Sequence, residues 1–336
     1  MRRALYEPEL GYYERTPENV GRRGDFYTSV SVGSVFGELL AAQLAEWVER
    51  IGPNAQWVEA GAHAGQLAED ILTWLRTHRP AIFDSIRYLI IEPSIVRQSW
   101  QRERLRQFSG HVDWATEIPS TCGVIFSNEL LDAFPVRPVR WDVGRQVWDE
   151  IGVTWSEAGF RECRFPRQAD TPEPELPREL LSVLPDGFTT ETSPTAEAWW
   201  QTAALRLQAG CLVTIDYGLI DSEYWVPQRH LGTRRGYRQH RLALDLLADP
   251  GKIDLTAHVH FSRLIAAGER TGLSTQDLLD QRTFLTRQMC RTLAAPAEFG
   301  VWTAQRLRQF QTLTHPEHLG RSFRVLVQER TGPNQL

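Results

Sequence analysis

Lysine is almost missing from this chain: of 37 basic residues a single one, Lys252, is lysine and the rest are arginine. A bias on that scale gives an individual arginine little functional weight, because lysine-to-arginine drift places arginines anywhere. Cysteine is scarce as well. Cys122, Cys163, Cys211 and Cys290 stand far apart with no Cys-x-x-Cys, which argues against a thiolate metal knuckle or a disulfide framework and for reduced thiols. Cys122 and Cys211 border apolar runs and are expected in the core. No segment approaches the roughly 20 consecutive apolar residues that cross a bilayer, and the opening MRRALYEPEL turns acidic without the apolar stretch of a signal peptide. These absences lead to the expectation of a cytoplasmic protein without membrane insertion. A net charge of -5 gives no general reason to expect nucleic-acid binding. The missing Gly-x-Gly-x-x-Gly weakens a nicotinamide-dependent oxidoreductase.

What is present is a chain of 336 residues, 42% hydrophobic, long enough to bury a sizeable core as one large domain with insertions or as two modest ones. Residues 34–51 place Val35, Leu39, Leu40, Leu44, Trp47, Val48 and Ile51 at helical spacing behind Ser34 as N-cap. Residues 56–59 read as a strand, followed by a glycine-bearing turn and a helix through Leu67, Ile71, Leu72 and Leu75. Residues 86–91 form an apolar run suited to a strand covered on both faces. A helix over 94–108, a short strand over 111–114 and strong strands over 123–127 and 211–216 continue the alternation, which predicts a doubly wound, mostly parallel sheet. Between the last two strands, residues 136–165 have the Val, Trp and Phe content of antiparallel hairpins, and residues 166–187 are a proline-rich loop. After Gly218 an irregular stretch runs to about residue 260, then a helical one, and residues 323–328 form a final strand that could close the sheet edge.

Three segments carry chemistry. Glu59-Ala-Gly-Ala-His-Ala-Gly65 lies between a strand and a helix, where small residues let the backbone approach a ligand and free N–H groups favour an anionic group. On its own it is also consistent with a tight turn that binds nothing. Glu92 ends the next apolar strand, where an acidic side chain accepts hydrogen bonds from ribose hydroxyls. Ser127 to Pro135 follows a strand on the same rim; its amide and two carboxylates would share a face if the segment begins a helix, and its place on the presumed cofactor edge favours a functional role over simple capping by Asn128 or Asp132. His258 and His260 alternate at strand spacing beside Asp254, but no partner cluster is evident, so a structural or substrate-facing role is preferred to a metal site.

The segments ALYEPELGYYER, GRRGDFYTS, VFGELLA, the glycine turn, IEPS, FSNELLDAFPVRPV, ETSPTAEAWW, TIDYG, GTRRGYRQHR and LADPGKIDLTAHVHFS occur in that order. Together they resemble the MidA family of class I methyltransferases, which includes the mitochondrial complex I assembly methyltransferase. The resemblance implies a Rossmann-like α/β fold with a seven-stranded, mostly parallel sheet and S-adenosyl-L-methionine as methyl donor. It divides the chain into an N-terminal helical cap (1–54), a methyltransferase core (55–135 and 210–336) with a lid-like loop at 219–260, and a β-rich insertion with the proline-rich loop (136–209). By position, Glu59, Gly61, His63 and Gly65 would form the cofactor loop and Glu92 would hold the ribose. Gly24, Asp25, Phe26, Thr28 and Asn128 would line the cleft. The resemblance also implies about one more helix before the ALYEPEL segment, hence a translation start upstream.

Two segments depart from the family pattern: Ala62 and His63 stand for a proline and a glycine in the cofactor loop, and His260 stands where relatives carry aspartate. If the acceptor is an arginine, as in the mitochondrial member, carboxylates must orient its guanidinium and accommodate a proton. Glu129 and Asp132 are the candidates, with Asp216 behind them. The alternative is a catalytically silent member acting as an assembly or interaction factor, its cofactor loop altered at His63. For the active enzyme a protein substrate is a possible, unidentified partner, and the arginine-rich residues 228–241 read as a folded lid.

Overall fold

The structure is a computed structural model that describes residues 1–16, 24, 28–52 and 54–332. Strands β1 (Gln56–Ala60), β2 (Tyr88–Ile91), β3 (Val112–Ala115) and β4 (Thr121–Asn128) run parallel, joined through the helices Gln66–His78, Pro80–Ser85 and Ile95–Arg104. The chain then leaves this sheet. Strands β5 (Arg137–Asp142), β6 (Val147–Ser156), β7 (Gly159–Pro166) and β8 (Thr189–Thr192) make a separate antiparallel sheet. It returns in β9 (Leu207–Leu219), parallel to β4. A small sheet of β10 (Arg235–Arg238), β11 (Arg241–Leu242) and β12 (Asp254–Thr256) follows, then β13 (Val259–His260) against the end of β9. Two further strands, β14 (Ser274–Asp280) and β15 (Phe323–Arg330), complete a central sheet of order β14-β15-β9-β4-β1-β2-β3, in which β15 is antiparallel to both neighbours. This is the doubly wound α/β fold expected from the alternation.

Strand periodicity sorts the core into two layers. Along β4, Val124 and Phe126 face one cluster and Ile125 the other; along β9, Val213 and Ile215 oppose Leu212; along β15, Val325 and Val327 oppose Leu326. The first layer is covered by the helices Val35–Ile51, Gln66–His78 and Gln281–Ala294, the second by Pro194–Arg206 and Phe261–Arg270. Each fully buried branched or aromatic side chain contributes about 1.5–3 kcal/mol to this arrangement.

Four expectations need correcting. The final strand lies inside the sheet, and the edge is β14, a segment of weak apolar alternation that reads as helical in sequence. The irregular stretch before residue 260 contains the three-stranded sheet β11-β10-β12. Cys122 is exposed, because it sits where the β4–β9 register shifts, whereas Cys211 is buried as expected. Finally, the segment after Asn128 begins no helix. It is an irregular turn in which Glu129 adopts a left-handed backbone, φ 51°.

Candidate active site

The parallel strands bring their carboxyl ends to one rim, so the segments singled out in sequence meet there. After β1 the chain turns through Gly61 (φ 76°), His63 (φ 45°) and Gly65 (φ 82°) into the helix Gln66–His78. Position 61 favours glycine because its φ of 76° is left-handed, and a Cβ there would also press on the Leu130 side chain at 2.7 Å. Glu59 is buried beneath this turn and accepts a 2.6 Å hydrogen bond from the Tyr88 hydroxyl of β2; burial pushes its carboxyl up to about 7. The His63 carbonyl accepts from Gln101 Nε2 at 2.9 Å, and its Nε2 is buried without a partner. Burial, with Arg97 and Arg104 nearby, pushes its imidazole down to about 4, so it is neutral at physiological pH.

Glu92 closes β2 and is 2% exposed. Its Oε1 accepts from the Ser94 N–H at 2.9 Å and from Arg97 at 2.8 Å, and its Oε2 from Gln101 Nε2 at 3.2 Å. Gln101 is itself oriented by Trp114, whose indole N–H donates to Oε1 at 2.9 Å. A single glutamine thus ties the backbone of the turn at 61–65 to the carboxylate at the end of the neighbouring strand.

After β4, the Glu129 N–H donates to the Ile215 carbonyl at 2.9 Å, and its Oε1 accepts from the Ser29 N–H at 3.0 Å and from Asn128 Nδ2 at 3.2 Å. Glu129 Oε2 and Asn128 Oδ1 are buried with no hydrogen-bond partner. Asp216, at the rim end of β9, accepts the Leu131 N–H at 2.8 Å with longer contacts from Leu130 and Asp132, and the Tyr217 N–H at 2.9 Å. Asp216 therefore fixes the turn that carries Asp132. Burial pushes Glu129 up to about 8 and Asp216 to about 7, and burial together with Asp216, Asp254 and Glu129 drives Asp132 well above the carboxylate range. Among the described residues none of these three forms a salt bridge.

Sequence reasoning weighed Asp254 only beside His258 and His260 and did not connect it with the acidic rim. Asp254 is fully buried at the start of β12 and accepts a 2.7 Å hydrogen bond from the Tyr13 hydroxyl, 241 residues away. Thr28 spends its side chain capping the short helix Ser29–Val32, with a reciprocal bond from Ser31, and so presents that segment to Glu129. Gly24 is half-buried; Asp25 and Phe26 lie outside the described residues. His260 bonds Asp221 at 2.6 Å and stacks on Tyr224 at 4.2 Å. No group of three or more potential metal ligands occurs among the described residues, and no helix among them is long and apolar enough to cross a membrane.

The titration of these groups has a sign that can be checked. Glu59, Asp70 and Asp216 are raised to about 7 and Glu129 to about 8, each chiefly by burial. A raised folded value gives stability that is full below the unfolded value near pH 4 and is lost as pH rises through 7 to 8. His63 and His258, lowered to about 4, act oppositely, but only below pH 6.5. The Met1 amine, also lowered, is one group against four. Differential scanning calorimetry between pH 6.5 and 8 is expected to record a Tm falling by about 5 °C; a flat or rising Tm would refute the burial of these charges.

A doubly wound sheet with a glycine turn after the first strand, a carboxylate ending the second and an acidic turn after the fourth defines a nucleoside-binding enzyme of the class I methyltransferase type. The particular family follows from comparison with known proteins. Residues 39–279 match the family described as "Putative S-adenosyl-L-methionine-dependent methyltransferase", and the chain belongs to that family. It is 27% identical to "Protein arginine methyltransferase NDUFAF7 homolog, mitochondrial" of Drosophila melanogaster, over 97% of this chain and 79% of the relative. It is 28% identical to the Mus musculus "Protein arginine methyltransferase NDUFAF7, mitochondrial", over 96% and 78%. A Burkholderia thailandensis crystal structure bound to S-adenosyl-homocysteine superposes with a TM-score of 0.84 at 29% identity, covering 98% of this chain and 86% of that one.

The protein is an S-adenosyl-L-methionine-dependent methyltransferase, and these findings support the enzyme over a silent assembly factor. They overturn the expected cytoplasmic location: the curated relatives that match along nearly the whole chain are named as mitochondrial. Scattered thiols and the lack of an apolar span do not separate one reducing compartment from another.

The residues present fit the cofactor. The turn at Gly61 and Gly65 leaves a backbone cradle at a helix start, Glu92 is a buried acceptor at the end of the second strand, and the orphaned Asn128 Oδ1 and His63 Nε2 border the same rim. His63 is the one irregular member, holding φ 45° without being glycine. Replacing His63 with glycine removes about 1 kcal/mol of backbone strain. Calorimetry is expected to find S-adenosyl-homocysteine bound at least as tightly by the variant; weaker binding would mean that this turn is not the cofactor cradle.

Proposed function

We propose that the methyl acceptor is the guanidinium of a protein arginine, held against Glu129 and Asp132. The observation that carries this reading is the cluster of buried carboxyl groups at Glu129, Asp132 and Asp216, which have no salt-bridge partner among the described residues and whose ionisation burial disfavours until a cation arrives. The names of the curated relatives, each a protein arginine methyltransferase, support the same acceptor. The turn at Gly61, His63 and Gly65 would cradle the cofactor, Glu92 would take its ribose hydroxyls and Asn128 would meet its polar end. The bound cofactor supplies an electrophilic methyl group, so a nitrogen–carbon bond forms as the sulfur–carbon bond breaks, and the guanidinium gives up one proton.

This chain's own residues supply alignment and the proton's destination. Glu129 is suited to receive that proton once the docked cation has driven the carboxyl's own proton to solvent: burial pushes the group up to about 8 in the empty site, its Oε1 is held by Ser29 and Asn128, and Tyr217 adds a further hydrogen bond to the carboxyl. Asp132 would orient the second face of the guanidinium, and Asp216 would act through the turn it pins. In this reading residues 219–260 form the lid. The family resemblance directs the search for the acceptor to subunits of respiratory complexes. The test is transfer of labelled methyl from S-adenosyl-L-methionine to proteins in an extract from cells lacking this chain, followed by amino-acid analysis. Label in methylarginine supports the reading, and label confined to other residues or to small molecules overturns it.

A further inference from the structure

The carboxylate proposed to hold the ribose is already engaged by the chain itself. Glu92 Oε1 accepts both the Ser94 N–H and an Arg97 N–H, and Oε2 accepts from Gln101. A carboxylate has about four lone-pair sites; three are used, so two ribose hydroxyls can both be accepted only if one donor withdraws. Ser94 donates from the backbone, and Gln101 is held by the His63 carbonyl and by Trp114. Arg97 is the donor able to move, and it already has a second partner: its Nη1 lies 2.9 Å from Glu14 Oε1, with both side chains about nine-tenths buried.

Glu14 belongs to a strap formed by residues 1–16, which includes the helices Arg2–Tyr6 and Tyr12–Arg15. The strap touches the cofactor side through Glu14, which also accepts from the Ser94 hydroxyl at 2.5 Å. It reaches the acceptor side through Tyr13 on Asp254, Tyr6 on the Ala133 carbonyl at 3.1 Å, and Arg15 on the Gly251 carbonyl at 3.1 Å. Between these ends the Tyr6 and Tyr13 rings stack at 5.6 Å, with Tyr13 edge-on to His63 at 6.5 Å and the Arg97 guanidinium 5.9 Å from the Tyr6 ring.

We propose that Arg97 is a positioning residue that couples ribose occupancy to the N-terminal strap: it shares itself between Glu92 and Glu14, and passes wholly to Glu14 when the ribose takes its place on Glu92. The inference rests on Glu92 as the ribose acceptor. Arg97 lowers cofactor affinity by competing for Glu92, and Glu14 restores it by offering the guanidinium another anion. Occupancy then tightens the strap across the cleft next to Asp254, so cofactor binding precedes the shaping of the acceptor side.

Calorimetric titration of the full chain with S-adenosyl-homocysteine tests this, using Arg97→Ala, Glu14→Gln, the double variant and Glu92→Ala. Arg97→Ala is expected to bind about 10-fold tighter and Glu14→Gln about 5-fold weaker, and the Glu14 effect should vanish when Arg97 is absent. Hydrogen–deuterium exchange on the unaltered protein should record slower exchange of residues 12–16 on adding the ligand, and no such change in Arg97→Ala. If the unaltered protein binds but Arg97→Ala binds more weakly, or the two single effects simply add, the coupling is overturned while Glu92 keeps its role. If Glu92→Ala binds as well as the unaltered protein, the ribose reading falls and the coupling falls with it.

Discussion

Glu129→Gln is expected to lose methyl transfer to protein by about 10²–10⁴-fold, the range a positioned proton acceptor supplies, while binding S-adenosyl-homocysteine within about 3-fold of the unaltered protein. The amide keeps a carbonyl oxygen where Oε1 now accepts from Ser29 and Asn128, so the left-handed turn retains its hydrogen bonds. What disappears is the buried titratable oxygen. Because the carboxyl is pushed up to about 8, its charged form costs stability at alkaline pH, and the neutral variant is expected to have the higher Tm at pH 8.5. Lost activity with a lower Tm and weakened ligand binding would instead mark Glu129 as a structural acceptor. Transfer that survives the substitution would remove it from the mechanism.

The second large effect lies on the sheet. Gly123 in β4 has φ 153°, and a Cβ there would fall 2.0 Å from the Gln56 carbonyl oxygen of β1, backbone against backbone. Its register partner on the other side, Gly210 of β9, would place a Cβ 2.0 Å from the Gly123 carbonyl oxygen. Three adjacent strands pass one another here with no room for a methyl group. Gly123→Ala is expected to cost about 4 kcal/mol or more, a fall of order 10 °C in Tm or failure to fold. Gly52→Ala is the control: φ is 128°, and nothing lies within 4 Å of the added carbon. It is expected to lose only the backbone contribution, about 1–3 kcal/mol. Equal losses in the two variants would show that the strand contact relaxes freely.

Much of this was legible because it is periodic or lies at strand ends. The alternation around Trp57, Ile90 and Phe126 fixes three parallel strands, and once those exist Glu59, Glu92 and Glu129 must fall on or beside one rim. The strap was not legible in the same way. Tyr13 meets Asp254 and Tyr6 meets Ala133 across most of the chain, and no local pattern encodes such pairs. Arg97 was hidden for another reason: in a chain whose positive charge is almost all arginine, one arginine at a decisive position looks like all the others. Its place five residues after Glu92, in the first turn of the helix capped by Ser94, was the available signal. The assumption that the rim turn at 128–135 is helical failed because Glu129 takes a left-handed backbone, φ 51°, and Pro135 disfavours helical geometry at Phe134, so the chain makes a single turn there while Asp216 accepts the N–H groups of Leu130, Leu131 and Asp132.

The position of β15 has a consequence for how the molecule is made. This strand is the last in chain order yet sits between β9 and β14, burying Phe323, Val325, Leu326 and Val327 and pairing with β9 along eight residues. Until residue 330 has left the ribosome, β9 has one unpaired edge and both core layers are open along it. The nascent protein must therefore hold more than three hundred residues in a partly assembled, association-prone state, and chaperones have their longest opportunity to act just before synthesis reaches that strand.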